Sequence, residues 1–504
     1  MTTTQKLQKR LNDSKAARWT ALIIVSFTMM MAYFFTDVMG PLEAPLTTKG
    51  KLVYFDNGTY LSADSLMKVS TTAIASEEEI VVGNAYTIDN AGTEETVKVD
   101  STINGLGWGS DDYGVFSGAY GYINVFLLML FFGGIILDKM GVRFTGLMST
   151  ALMFAGAAIK WYAVNSTFTG EIVGLPTQVA VACLGFAIYG MGCEIAGITV
   201  TKVIAKWFTG HELALAMGLQ VALARVGTAC ALFFALPLAQ YFGIVSAPVM
   251  IGASALCIGM LSYIVYCVMD KKLDASATTA EGVTESEEEQ FKMSDLKLIF
   301  CNKGFWLITL LCLMFYSAVF PFLKFATNLM IIKYNVSPDV AGMIPGLLPF
   351  GTILLTPLFG SMYDKMGKGA TLMLIGSTLL TVVHVLFALP VMNIWWFAVI
   401  VMILLGIAFS LVPSAMWPSV PKIIPMKQLG SAYAIIFYIQ NIGLSMVPVL
   451  IGNVIQSCTS NGTTDYTLPM AIFAGFGVIA VIISLLLLKA DKKYNYGLEQ
   501  KNEK

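Results

Sequence analysis

The chain has 504 residues, of which 56% are hydrophobic and 12% charged, with a net charge of −1. Ordinary soluble domains carry about 25% charged residues, so a water-soluble fold of this length lacks the polar surface it needs. The near-neutral balance argues against a nucleic-acid partner. Eight cysteines are present; most fall inside apolar blocks, where cysteine behaves as a small hydrophobe. None has metal-ligand spacing, so neither a disulfide framework nor a metal site is expected. No Ser/His/Asp set or nucleotide loop is present, so no enzyme and no cofactor is expected.

The composition leaves an integral membrane protein, and the apolar blocks exceed the roughly 18 residues that mark a spanning helix. A tail, 1–18, carries Lys6, Lys9, Arg10, Lys15 and Arg18, and an apolar run from 19 to 43 follows. That run is too long for a signal-peptide core and holds Asp37, so it reads as an uncleaved first span. A long loop, 47–112, comes next. Within it Glu79–Val82 and Thr96–Val99 have the composition of a small hairpin, although an exposed loop is the reading expected here. Further blocks lie near 113–137, 144–164, 176–205, 212–240 and 243–269, closing a first bundle over 19–269. A polar linker, 270–304, contains Glu285, Glu287, Glu288 and Glu289, a composition that neither enters lipid nor builds a core. The second bundle, 305–489, has blocks near 305–331, 338–363, 369–391, 393–418, 428–455 and 468–489, with a tail at 490–504. The fold expected is therefore an all-α membrane protein of twelve transmembrane helices in two pseudo-symmetric six-helix bundles.

Basic residues collect in the N-terminal tail, at Lys139 and Arg143, Lys202 and Lys206, Lys271 and Lys272, Lys365 and Lys368, Lys422 and Lys427, and Lys489, Lys492 and Lys493. By the positive-inside bias both termini are cytoplasmic. Four N-glycosylation sequons, starting at Asn57, Asn165, Asn335 and Asn461, then fall on the outer side.

A short signature occurs twice. Gly134, Asp138, Lys139, Gly141 and Arg143 are echoed by Gly360, Asp364, Lys365, Gly367 and Lys368, with Asp138 and Asp364 separated by 226 positions. Each copy joins two apolar blocks, and two copies in register imply a duplicated chain. The pattern G-x-x-x-D-[RK]-x-G-[RK] resembles the loop motif of the major facilitator superfamily. The resemblance implies a transporter in which this loop joins the second and third spans of each half. A second echo aligns Glu212–Gly218 and Arg225-Val226-Gly227 with Gln428–Ala434 and Asn441-Ile442-Gly443, which puts Arg225 and Asn441 at matching places in spans five and eleven. The loop signature reads as a mechanical latch, with each Asp reaching helix N-termini and basic neighbours for roughly 0.3–1 kcal/mol per contact.

Charges inside apolar blocks normally face a cavity or a partner, because a helix-centre charge costs about 2.5–3.5 kcal/mol on insertion scales. Asp37 lies in span one, Glu194 in span four and Arg225 in span five. Arg225 is at the middle of its block and Glu194 roughly 6 Å past the middle of its own, so opposite charges share one depth on consecutive helices. Two readings stand: a structural ion pair, or two poles for a zwitterionic or anionic solute. A buried pair adds little net stability, which weighs toward the solute reading, and Arg suits a carboxylate gripped by two parallel hydrogen bonds. Lys160 is expected to snorkel at the outer end of span three, and His384 to pack. Lys324, Tyr120, Tyr122, Asn124, Tyr316 and Trp417 are further candidates for a cavity lining.

A closer resemblance runs through nearly the whole membrane portion. Gly190-Met191-Gly192-Cys193-Glu194, Trp207–Leu213, Gly218-Leu219-Gln220, Ala224-Arg225-Val226-Gly227, Ala318–Phe322, Met416-Trp417-Pro418, Gln428–Tyr433 and Ile439–Gly443 resemble the lysosomal dipeptide transporter branch of that superfamily. It implies facilitated dipeptide movement by alternating access, with Glu194 engaging the peptide amino end and Arg225 its carboxylate. Asp37 matches an acid of the branch's first span. The long outer loop and the residues after Pro321-Phe322 depart from the branch, and the N-terminal tail lacks its acidic dileucine signal. A plasma (bacterial inner) membrane is therefore expected, with a lysosomal membrane as the alternative. The partners expected are the lipid bilayer and one small solute, a dipeptide or an organic anion, for a monomer. A proton-coupled organic-anion symporter of the same fold is the alternative function, and a non-transporting receptor with the outer loop as its binding module is a different class.

Overall fold

The computed structural model describes residues 11–90, 93–208, 212–278, 299–390, 392–425, 428–460 and 463–500. The acidic run at Glu285–Glu289, His211, Lys427, Asn461 and the side chain of Asp138 lie outside the described residues.

Among the described residues, eleven helices are long and apolar enough to cross a membrane. They are span one (Lys15–Asp37), three (Lys139–Asn165), four (Thr177–Phe208), five (Leu215–Phe242), six (Ser246–Ala275), seven (Lys303–Tyr334), eight (Pro338–Met366), nine (Gly369–Ala388), ten (Trp395–Ile423), eleven (Leu429–Cys458) and twelve (Thr467–Tyr494). The apolar block expected as the second span is broken instead. It runs through Ser110–Gly118, a 3-10 turn at Ala119–Gly121 and Tyr122–Phe126, and then resumes at Met129 after a left-handed Leu128. Close packing accounts for the small residues there. A Cβ on Gly114 would meet the Pro448 carbonyl oxygen at 2.6 Å, and one on Gly118 that of Ser445 at 2.2 Å, so this segment, called span two below, lies backbone against backbone on span eleven.

The repeated loop signature has a local cause. Gly141 and Gly367 both take positive φ, +74° and +69°, a conformation that glycine enters without a Cβ penalty. Each ends one helix and turns the chain into the next.

Packing repeats with a shift of six spans. Span one packs on five and six, three on four and six, and two on four; seven packs on eleven and twelve, nine on ten and twelve, and eight on ten. The halves meet along spans two and eleven and spans five and eight. At the end carrying loop 47–112 they are tied together: Lys324 of span seven pairs with Asp37 of span one at 2.6 Å, the Tyr113 hydroxyl donates to the Lys324 carbonyl at 2.9 Å, and the Ser110 amide donates to Gln456 at 2.9 Å. The contacts seen at the opposite, basic end stay within one half. Arg143 and Lys206 clasp Asp270 and Asp274, Arg18 pairs with Glu212, and Glu499 accepts from Thr371. Gly134, Gly218, Gly360 and Gly430 of that end have open space where a Cβ would sit. Among the described residues, the halves are tied at the loop end and parted at the basic end.

Two expectations need correcting. The loop 47–112 is no simple exposed loop: β1 (Lys49–Phe55), β2 (Tyr60–Ser62), β3 (Ala85–Asn90) and β4 (Thr93–Leu106) form an antiparallel sheet in the order β2-β1-β4-β3. Val53, Phe55, Leu66, Val97 and Val99 give it a small core of its own. The predicted hairpin is half right, since Thr96–Val99 lies in β4 but its Thr96–Lys98 pair with Ala85–Thr87, and Val99 with Phe55, rather than with Glu79–Val82. Lys160, expected to snorkel, is fully buried. Its ammonium sits over the rings of Phe35 (4.3 Å), Phe186 (4.2 Å) and Phe116 (5.3 Å) and donates to the Phe35 carbonyl. Aromatic faces and a carbonyl there replace the water that a snorkelling lysine seeks.

Candidate functional site

Two glycines set the site. A Cβ on Gly190 would sit 2.0 Å from the Tyr120 carbonyl oxygen, so its absence lets span two lie against span four. One helical turn further, the Tyr120 hydroxyl donates to Glu194 Oε1 at 2.8 Å. Likewise a Cβ on Gly227 would sit 2.0 Å from the Met30 carbonyl oxygen, and this close approach of spans five and one places Arg225 beside Tyr33.

Arg225 reaches across to the other half. Its guanidinium carbon lies 5.8 Å from the ring centre of Tyr33, 5.7 Å from Phe320 and 5.5 Å from Phe409, from spans one, seven and ten. Each such contact contributes about 0.5–2 kcal/mol depending on hydration, and none neutralises the charge. Glu194 and Arg225 form no ion pair with each other or with other described residues, which removes the structural ion-pair reading. Both stay partly exposed; Arg225 is met by rings of both halves, and Glu194 by Tyr120 of the first. Tyr33 lies within electrostatic range of both.

The second half supplies an aromatic wall. Trp417 donates from its indole nitrogen to the Tyr316 hydroxyl at 3.1 Å and stacks on Phe437 at 5.0 Å. Tyr316 packs on Phe320 and Phe409, the rings that meet Arg225. A charged wall in one half thus opposes a ring-lined wall in the other.

Other predicted residues are placed elsewhere. Asp37 and Lys324 pair with each other at the shut end, where Thr228 also donates to Asp37 at 2.9 Å. Tyr122 turns its hydroxyl to the Val115 carbonyl. Asn124 is fully buried with an unpartnered side chain, and Asn441 is buried and donates to the Phe437 carbonyl. No contact joins these three to Glu194 or Arg225 among the described residues. Tyr33, Phe320 and Phe409 were missed by sequence reasoning. Spacing offered a signal, since Tyr33 precedes Asp37 by one turn and Phe320 follows Tyr316 by one, and side chains four apart share a helix face. In the loop signature, Arg143 pairs with Asp274 at 2.7 Å and with Asp270 at 3.4 Å, while Lys139, Asp364 and Lys365 are exposed.

Two bundles related by a six-span repeat, with unpaired charges between them, define a solute transporter of the alternating-access kind. The family model of the Major Facilitator Superfamily matches residues 91–331 and 325–504, and the chain belongs to that superfamily. It is a multi-pass membrane transporter of small solutes and not an enzyme. Among curated relatives it is similar to the lysosomal dipeptide transporter MFSD1 of Homo sapiens, 25% identical over 433 residues, covering 84% of this chain and 87% of the relative. The Mus musculus protein of the same name is 26% identical, covering 83% and 87%. Among solved structures, the nucleoside transporter NupG matches with a TM-score of 0.63 at 14% identity, covering 94% of this chain and 99% of that one. A bacterial homolog of the human lysosomal transporter Spinster, solved inward-facing and unoccupied, matches at 0.63 and 12%, covering 95% and 98%. At those identities the structures share the fold alone.

Proposed function

We propose that this chain carries dipeptides across its membrane by alternating access, with Glu194 receiving the peptide amino group and Arg225 its carboxylate. The observation that carries the reading is that both charges are partly exposed and lack an ionic partner among the described residues, with Arg225 lying against rings of both halves. An unpaired charge at that depth is costly, and a zwitterion offers each the missing partner. The charged ends of an extended dipeptide lie about 7 Å apart, which suits two groups that share a depth and do not touch. The aromatic wall of Tyr316, Phe320, Phe409 and Trp417 accepts peptide side chains by apolar contact, which tolerates many of them. The relatives named as dipeptide transporters support the same reading. Transport in which no ion crosses with the solute, a monomeric state and a plasma-membrane location are parts of this proposal.

Purified protein in liposomes, given labelled dipeptide, tests it. Uptake is expected in the parent and is lost in Arg225→Ala and Glu194→Gln. Unchanged uptake in both variants contradicts the assignment. Uptake driven by a pH gradient and competed by simple carboxylates, but not by dipeptides, favours the organic-anion symporter instead.

A further inference from the structure

At the loop end, the chain leaves span one and turns into a short helix, Glu43–Thr47, that carries a carboxyl into the seam between the halves. Glu43 is 1% exposed, and neither of its oxygens has a hydrogen-bond partner. The Asn328 side chain of span seven, in the opposite half, interacts with it. Tyr60 of β2, Tyr113 of span two and Tyr466, which precedes span twelve, lie within its electrostatic range. The Asn328 Oδ1 and the Tyr466 hydroxyl are buried and unpartnered as well. No lysine, arginine or histidine faces Glu43 among the described residues. Lys324, one turn before Asn328, is committed to Asp37.

A carboxylate shut away from water without a counter-ion, with only the Asn328 amide near it, does not remain ionised; it takes a proton. Burial accordingly holds Glu43 well above its ordinary value, and only the Asn328 contact opposes this. Glu43 belongs to the first half, whereas Asn328 and Tyr466 belong to the second. Parting the halves at this end returns the carboxyl to water and to an ordinary proton affinity.

We propose that Glu43 is a proton-binding site that couples closure of the loop end to uptake of one proton from that side. The inference rests on the alternating-access reading but not on the identity of the solute. The sign follows from which state holds the proton. The shut state binds it more tightly, so closure is fully supported below the ordinary glutamate value. Support declines as pH rises from that value toward the raised one, by about tenfold in the shut-to-open ratio per pH unit.

Energy transfer between fluorophores placed by non-canonical amino acids at Asn165 and Asn393, exposed loop-end positions in opposite halves, reads this distance in the full chain in lipid nanodiscs. With no peptide present, the parent is expected to shift from shut to open as pH rises from about 4 to about 8. Glu43→Gln, a permanently neutral isostere, is expected to stay shut throughout, and replacing sodium by choline to change nothing. Asn328→Leu, which removes the opposing contact, is expected to move the midpoint to higher pH, and it serves as a second arm should the Gln variant fold poorly. A parent signal flat with pH, a Gln variant that tracks the parent, an unmoved Asn328→Leu midpoint, or a sodium-dependent signal overturns the proposal. Failure of dipeptide uptake with this switching intact would count against the solute assignment and leave the proton site standing.

Discussion

Arg225 and Glu194 were legible in the sequence because an ionisable side chain in a long apolar run stands out against its surroundings. Their immediate company was not. Aromatic residues make up 12% of the chain, so Tyr33, Phe320 and Phe409 carried no compositional contrast and emerged only when spans from both halves converged. Arg225→Lys keeps the charge but loses the planar fork and its stacking on rings. Dipeptide uptake in liposomes is expected to fall roughly tenfold to a hundredfold, the cost of about 1.5–3 kcal/mol for a charged hydrogen bond, with Arg225→Ala lower still. Parent-like rates in Arg225→Lys would mean that simple charge suffices. Asp270 makes a different case. Its carboxylate is fully buried and takes Lys206, the Trp207 indole and the Tyr266 hydroxyl. Asp270→Asn leaves these donors without their counter-charge, and a loss of about 3 kcal/mol is expected from broken buried pairs, seen as a lowered melting temperature in detergent.

At the scale of elements, hydropathy located eleven spans but treated 113–137 as one more continuous helix. A window average cannot register Gly114, Gly118 and Gly121, whose value lies in letting span two touch the backbone of span eleven. The spacing of those glycines was visible but not weighed. The sheet in 47–112 was obscured for a related reason, because its strands alternate only weakly and its core is small. Gly190→Ala tests how far such close contacts position the site. Its methyl group would overlap the Tyr120 carbonyl, so span two must retreat and take the Tyr120 hydroxyl away from Glu194. Dipeptide affinity is expected to drop about tenfold, near 1.4 kcal/mol, while the variant remains folded by gel filtration. Unaltered affinity would show that Glu194 needs no support from span two.

At the scale of the whole molecule, the duplicated loop signature foretold two halves, and the repeated packing of spans one to six in seven to twelve agrees with it. Which end is shut could not be read from residues, since the contacts that decide it join positions hundreds apart, as Lys324 and Asp37 do. That pair, with side chains 15% and 13% exposed, ties the halves at the loop end. Lys324→Ala leaves Asp37 without its counter-ion in the seam and favours parting. A cysteine introduced at Ser445, buried in the parent, is expected to become reactive toward a membrane-impermeant maleimide from the loop side only in that background. Equal reactivity with and without the Lys324 change would place the tie elsewhere.

The dipeptide reading is tested most directly by calorimetric binding of one dipeptide, its N-acetyl form and its C-terminal amide. The parent is expected to reject both blocked forms. Glu194→Gln should lose its discrimination against the acetylated amine alone, and Arg225→Ala its discrimination against the amidated carboxylate alone. If both variants still reject both blocked peptides as the parent does, the charges of spans four and five do not hold the two ends of the solute.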